Sequence, residues 1–327
     1  MRPVEDVDLQ PWRPPTYEVD ADGKLVGGRP GTPNNWGRWG ELDQRGTANL
    51  LTAERVAAAA RLVRTGKRIA LGLALGKHEP NPGSRPAAQH LFLGTTGDKM
   101  FGDGGAHGVQ SSDDIVVLPL QVSTQLDAHS HFGYEDLLYN GFWAGVVTAT
   151  SGARRLGIHH QADGIVGRGV LLDAAQHFGL DPFESTITAD MLEQAAQAHG
   201  VEIGPGDILL VRTGFLGTWL EHPELRMRRR SCGLAFDTIP WLAERDVAMV
   251  ACDNRAVEAV PGPTDQPLLP WHIAALRDLG LLVGELFDLD ALAADCAADG
   301  VYEFFFVAEP LPLVNGVGSP LNPLAIK

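Results

Sequence analysis

Leu118-Pro-Leu-Gln-Val-Ser-Thr-Gln-Leu-Asp-Ala-His-Ser-His-Phe-Gly-Tyr134 concentrates more potential chemistry than any other stretch of the chain. Gln121, Ser123, Gln125, Asp127, His129 and His131 occupy alternate positions, so wherever the backbone is extended their side chains leave from one face. Just upstream, Asp114-Ile-Val-Val-Leu-Pro119 reads as an apolar strand, which would set that polar row against one cavity. Imidazoles and carboxylates two to four residues apart supply lone pairs at short range, as a divalent cation or a proton-transfer site requires. The alternative is a solvated strand face beside a turn.

Downstream, short apolar runs alternate with helical patterns. Gly164–Asp173, Asp207–Gly214 and Val247–Cys252 read as buried strands; Thr188 or Asp190 starts a helix that Gly200 ends, and Phe236–Arg245 is a second helix. Arg212, at the end of an apolar run, needs a carboxylate or a substrate as partner. Asp253 closes the next strand, at the end where ligands gather in open α/β sheets. Pro270 then starts a helix, Gly280 ends it, and Leu281–Phe287 is a strand in which Leu281, Val283, Glu285 and Phe287 share a face. An ionised Glu285 in that row needs a cation or donors, with Arg212 as the structural candidate. Strands with intervening helices over residues 164–290 make the fold α/β.

Upstream, Thr52 caps a helix from Ala53 to Val63 and Arg68–Leu75 is a strand. Residues 1–40 are rich in Pro, Gly and charge, with Trp12, Trp36 and Trp39 interspersed, and read as an extended arm whose Trp36-Gly-Arg-Trp39 packs onto the body or a neighbouring subunit, or else walls the site; residues 41–327 read as one α/β domain. Residues 76–113, long and Gly- and Pro-rich, carry His78, His90 and His107, of which His107 is placed either over the pocket or in solvent. Residues 145–162 read as a loop whose adjacent His159 and His160 cannot both reach one pocket. The formal charge of -15 argues against nucleic-acid or anionic-membrane partners. No leader-like or membrane-spanning stretch is visible, so the expected location is the cytoplasm. Cys232, Cys252 and Cys296 are widely spaced and odd in number, reading as small buried hydrophobes, with a lone nucleophile as the other option.

The Gln121–His131 segment resembles the signature H-x-G-T-H-x-D-x-P-x-H of the metal-dependent cyclase-like hydrolases, which include bacterial kynurenine formamidases and isatin hydrolases. Thr124, Asp127 and His131 match it; Gln121 and Gln125 stand where the family has metal-binding His, Ser123 replaces Gly and His129 replaces Pro. Tyr139-Asn-Gly141 and Gly46–Thr52 resemble a longer branch of that family with a Ser-Thr-Gln-x-Asp core. A later functional pair, a His at the head of a helix and a Glu in the next strand, matches His272 and Glu285.

The resemblance implies a swivelling β/β/α domain with a mixed sheet flanked by helices, assembled as a homodimer or higher oligomer. It also implies a metal-dependent hydrolase of an amide-like C–N bond in a small molecule, a cyclic amide or an N-acyl or N-formyl group. On that reading Gln121, Gln125 and Asp127 hold a divalent ion, manganese or zinc with magnesium possible, and His131, His272 and Glu285 are the catalytic residues, His131 as general base or acid, with His129, His272 and Glu285 also candidates to complete the metal shell. If both Gln side chains ligate, the oxygen-rich shell favours manganese or magnesium over zinc. A dehydratase or cyclase running on His131 and Glu285 without metal is the alternative, and a pocket that binds without catalysis is the third.

Overall fold

The structure is a computed structural model that describes residues 16–76, 85–101, 108–225, 229–262 and 266–327. Among these residues nine strands build the main sheet: β1 (Arg68–Ala70), β2 (Gln125–Asp127), β3 (Ile165–Leu172), β4 (Ile208–Val211), β5 (Met249–Cys252), β6 (Leu282–Glu285), β7 (Glu303–Ala308), β8 (Gly318–Pro320) and β9 (Leu324–Ile326). Their order is β1-β9-β7-β3-β4-β5-β6-β2-β8. The four central strands, β3 to β6, run parallel to their neighbours, and every pairing outside them is antiparallel. The fold is thus α/β, a large curled mixed sheet flanked by helices, the swivelling β/β/α architecture.

Side-chain alternation sorts the core into two layers. Leu209, Val211, Val250, Cys252 and Val283 face helices Ala189–His199, Thr238–Glu244 and Pro270–Leu279, while Ile208, Leu210, Met249, Ala251 and Leu282 face helix Asp290–Asp299 on the other side. All these strand residues are buried, because a central parallel strand is covered on both faces. Local signals set the helix ends. Thr52 and Thr188 each accept a hydrogen bond from the backbone N–H three residues on, and Gly200 and Gly280 close their helices in the left-handed conformation. Pro270–His272 begins as α-helix and continues over Ile273–Leu279 as a π-helix, a rare winding that recurs at functional sites.

The arm from residue 16 onward lies on this body. Trp36 Nε1 donates to the Arg277 carbonyl at 2.7 Å and its ring packs with Leu138, Tyr139 and Phe142. Asn140, itself left-handed at φ 57°, donates its amide to the carbonyls of Gly40, Glu41 and Asp43, and Thr47 Oγ1 donates to Ala248 O at 2.6 Å. The family-like Gly46–Thr52 and Tyr139–Gly141 stretches therefore fasten the arm to the sheet. Trp12, His78 and His107 lie outside the described residues.

Three expectations are corrected. Asp114–Pro119 does not supply a strand of the main sheet: Asp113–Val117 pairs with Gln89–Gly94 in a separate antiparallel ribbon, and Leu91, Phe92, Leu93, Ile115, Val116 and Val117 are exposed. Composition makes such a run apolar, but burial needs a second layer stacked on it, and the ribbon has none among the described residues. The strand that enters the sheet is the shorter Gln125–Asp127. Phe287 leaves the face of Leu281 and Val283, since Leu286 adopts φ 58° and turns the chain, sending the Phe287 ring to the opposite core. Residues 145–162 hold a small hairpin of Val147–Thr148 and Gly152–Ala153 and a 3-10 turn at Ile158–Gln161.

Candidate active site

The site forms at the seam where the parallel part of the sheet meets its antiparallel edge. Gln125 lies directly opposite Glu285, and Asp127 opposite Val283. Because Val283 belongs to the core layer under the Pro270–Leu279 helix, this parity sends Gln125, Asp127 and Glu285 to that same face, while Leu126 between them joins the opposite core. The helix delivers His272 from above. Asp127, His272 and Glu285, all buried, place one ligating atom each within 4.8 Å of one another.

The hydrogen bonds define what each group can still do. Gln125 Nε2 donates to Glu285 Oε2 at 2.8 Å, and His272 Nε2 lies 3.2 Å from Glu285 Oε1. The opposite ring nitrogen, Nδ1, is 2.8 Å from Glu258 Oε1; a carboxylate only accepts, so this nitrogen carries a proton. Asp127 is 1% exposed, and among the described residues neither of its carboxylate oxygens has a hydrogen-bond partner. Gln125 Oε1 is likewise buried and unpartnered. A buried carboxylate without donors is costly, and a bare cluster of oxygens beside an imidazole nitrogen is the donor set a divalent cation takes. The residues present therefore fit a metal ion.

Burial pushes the pKa of Glu285 up to about 7, helped by the neighbouring Asp127 charge and opposed by His272 and Arg85. For His272 burial works against the charged form, but hydrogen bonds to Glu258 and Glu285 outweigh it and raise the pKa to about 10. The chemistry is thus that of a buried acid and a buried base held in contact.

His131 stands at the rim, with its side chain 21% exposed and Nε2 3.9 Å from Asp127 Oδ1. The other members of the polar row diverge, because the chain is extended only over Gln125–Asp127 and turns on either side. Gln121 donates its amide to the Val317 carbonyl at 3.4 Å, beside Gly318, which pairs with Asp127. His129 turns Nδ1 to the Gln44 carbonyl at 3.3 Å and packs its ring against Tyr139, with burial lowering its pKa. Thr124 is a stitch: its Oγ1 donates to Leu286 O at 2.6 Å and accepts from Leu73 N.

Arg212 does not reach Glu285. It pairs with Asp173 at 3.0 Å and Asp290 at 2.7 Å, so the structural salt bridge considered for Glu285 is absent. Asp253 is consumed locally, accepting from Thr213 N, Thr213 Oγ1 and Gly214 N. The three cysteines are buried, and burial pushes the Cys232 thiol up to about 12 and that of Cys296 to about 11, which leaves no reactive thiolate among them.

Two contributors escaped the sequence reading. Glu258 is one; its signal was a single carboxylate inside the apolar Ala256-Val-Glu-Ala-Val260 run. Arg85 is the other: it donates to the Gln121 carbonyl at 3.0 Å and its charge is felt by Glu285, but nothing in its Pro-rich surroundings marks it.

Comparison with known proteins adds that the model of the Cyclase family matches residues 44–259, well over half the chain. The chain belongs to the Cyclase family. A crystal structure described as a novel cyclase is 41% identical, with a TM-score of 0.85 over 90% of this chain and 99% of that one. Isatin hydrolase A from Labrenzia aggregata bound to benzyl benzoate is 20% identical, with a TM-score of 0.60 over 82% of this chain and 94% of that one. An isatin hydrolase bound to the product analogue thioisatinate is 19% identical, with a TM-score of 0.58 over 84% and 98%. At those lower identities the likeness concerns the fold. No curated protein matches the chain. No helix among the described residues of this Cyclase-family enzyme is long and apolar enough to cross a membrane.

Proposed function

We propose that the protein is a metal-dependent hydrolase that opens an amide-like C–N bond in a small molecule, a cyclic amide or an N-acyl or N-formyl group. One observation carries the metal: Asp127 buries two carboxylate oxygens that no described residue hydrogen-bonds, one of them within 4.8 Å of a ligating atom of both His272 and Glu285. Asp127, His272 Nε2 and Glu285 would hold the ion, with the amide oxygen of Gln125 able to complete the shell; Gln121, turned to the Val317 carbonyl, does not join them. An oxygen-rich set of this kind favours manganese, with magnesium and zinc as lesser fits. When bound, such an ion supplies positive charge that polarises a carbonyl and acidifies water.

The chain's own residues do the rest. Gln125 fixes the Glu285 carboxylate by donating to Oε2, leaving Oε1 directed at His272. His131, at the solvent-facing rim beside Asp127, takes a proton from the attacking water and returns it to the leaving nitrogen. The likeness to isatin hydrolase folds supports a cyclic amide as the first class to try. Elemental analysis of the purified protein, with a screen of lactams, N-formyl arylamines and lactones before and after chelation, tests this reading. Metal-replete protein that carries no metal, or turnover indifferent to a chelator, removes it.

A second reading has its own observation. Glu285, held near pH 7 against His272, is an acid/base pair already poised for dehydration or cyclisation without an ion. Turnover of a hydroxy acid or lactone that survives chelation favours this lyase over the hydrolase.

A further inference from the structure

Glu258 sits 3% exposed in a loop shaped to present it. Val257 before it is fully buried and held at φ 54°, a conformation that a β-branched residue avoids. Asn254 Nδ2 clamps that conformation by donating to the carbonyls of Cys232 and Val257, at 2.6 and 3.1 Å. From there the carboxylate reaches the start of the Pro270–His272 turn, where Oε2 accepts from Trp271 N at 3.3 Å and Oε1 from His272 N at 2.9 Å. The same Oε1 accepts from His272 Nδ1 at 2.8 Å, and the ring's other nitrogen faces Glu285.

A helix start needs no imported carboxylate. An Asp, Ser or Thr at the preceding position would satisfy those N–H groups locally, yet position 269 is a leucine at φ 55° with no side-chain cap. What a local cap could not do is reach Nδ1. A carboxylate on the far nitrogen of a ligating imidazole fixes the ring's orientation and tautomer and strengthens its other nitrogen as a donor of electrons.

We infer that Glu258 is a positioning residue of this site, locking His272 with its proton on Nδ1 so that Nε2 is aimed at the Asp127–Glu285 cluster. The inference rests on the metal reading above for the purpose of the lock, but not for the lock itself. It assigns a function to a residue 14 positions upstream of His272 and outside both sequence motifs.

The test uses full-length, chelator-treated protein and the variant Glu258→Gln, titrated with Mn²⁺ by calorimetry, together with ¹⁵N-histidine NMR of the metal-free parent. Loss of an outer-shell partner weakens metal binding by about 10- to 100-fold, and that loss is expected with a metal-free melting point close to parental. Parental Mn²⁺ affinity in a destabilised variant would reduce Glu258 to a helix cap and overturn the inference. The parent's spectrum decides the matter even if the variant fails to fold: His272 must show a hydrogen-bonded Nδ1–H, and a proton found only on Nε2 overturns the inference. A parent that shows the Nδ1–H but binds no Mn²⁺ upholds the lock and sinks the metal reading instead.

Discussion

Exchanging Asp127 for Asn should make the metal-free protein more stable and the metal-loaded protein less responsive. Asp127 lies within 4.8 Å of both Glu285 and His272. At an effective dielectric constant of about 20 each interaction is on the order of 3 kcal/mol, repulsive with one and attractive with the protonated other, so the two nearly cancel. What remains is a carboxylate 1% exposed with neither oxygen hydrogen-bonded, and an unsatisfied buried group costs about 1–3 kcal/mol. Asp127→Asn removes the charge, keeps the shape and adds an N–H donor facing carboxylates, so the metal-free variant should gain about that amount. With Mn²⁺ at 100 times its dissociation constant the parent gains about 2.7 kcal/mol, whereas a variant binding 100-fold more weakly gains only about 0.4 kcal/mol. Calorimetric melts of both proteins, chelated and metal-loaded, read the four states directly. A metal-free variant no more stable than its parent, or one stabilised as strongly by Mn²⁺, refutes the reasoning.

The other expectations concern separate parts of the molecule. His131→Ala should lower kcat by about 100-fold or more while the protein keeps its metal, measured by steady-state rates beside elemental analysis; metal lost with activity would make His131 a ligand. Glu285 has a folded pKa raised from 4.5 to about 7, so its neutral form is favoured by folding: its contribution is complete below pH 4.5 and is lost as pH rises through 7, about 3 kcal/mol in all. Between pH 4.5 and 7 the metal-free parent should therefore lose about that much more stability than Glu285→Gln, other buried carboxyls such as Asp253 contributing equally to both; superimposable pH profiles would contradict it. His272, raised from 6.5 to about 10, acts at higher pH, its contribution complete below 6.5 and lost through 10. Arg212→Met strands the buried Asp173, while half-exposed Asp290 keeps its water, and should cost about 3 kcal/mol in denaturant unfolding with unchanged activity per folded molecule; lost activity would tie Arg212 to the site.

Much of the chain could be read because its signals are local. Thr52, Thr188, Gly200, Pro270 and Gly280 act within a turn of themselves, and each marks a helix boundary in the structure. The α/β class followed from short apolar runs between helical patterns, and the mixed sheet from the family resemblance. Asp113–Val117 misled because an apolar run reports composition and not what lies above it; the ribbon's Ile115, Val116 and Val117 look like Leu209–Val211 in sequence but face solvent. In the site, Asp127 was legible as a carboxylate in an alternating polar row, Glu285 as a charge interrupting an apolar one, and His272 only through the family resemblance. The divergence of Gln121 and His129 was not, since turns on both sides of a three-residue strand break the alternation that put them on one face. Glu258 was missed because a hydrogen bond spanning 14 residues between a loop and a helix start leaves no periodic trace.

The seam between β2 and β6 also orders the events of folding. Gln125 reaches Glu285 across 160 residues, Thr124 reaches Leu286 across 162, and Asp127 is flanked on its other side by Gly318. Loop closure over such separations costs more chain entropy than forming a local helix, so these contacts are expected after the helices. Secondary structure can therefore return in a refolding chain well before any catalytic geometry exists. A nascent chain synthesised only as far as Ala259 contains Asp127, His131 and Glu258, yet it has no site, because His272, Glu285 and the strand beside Asp127 are still to be made.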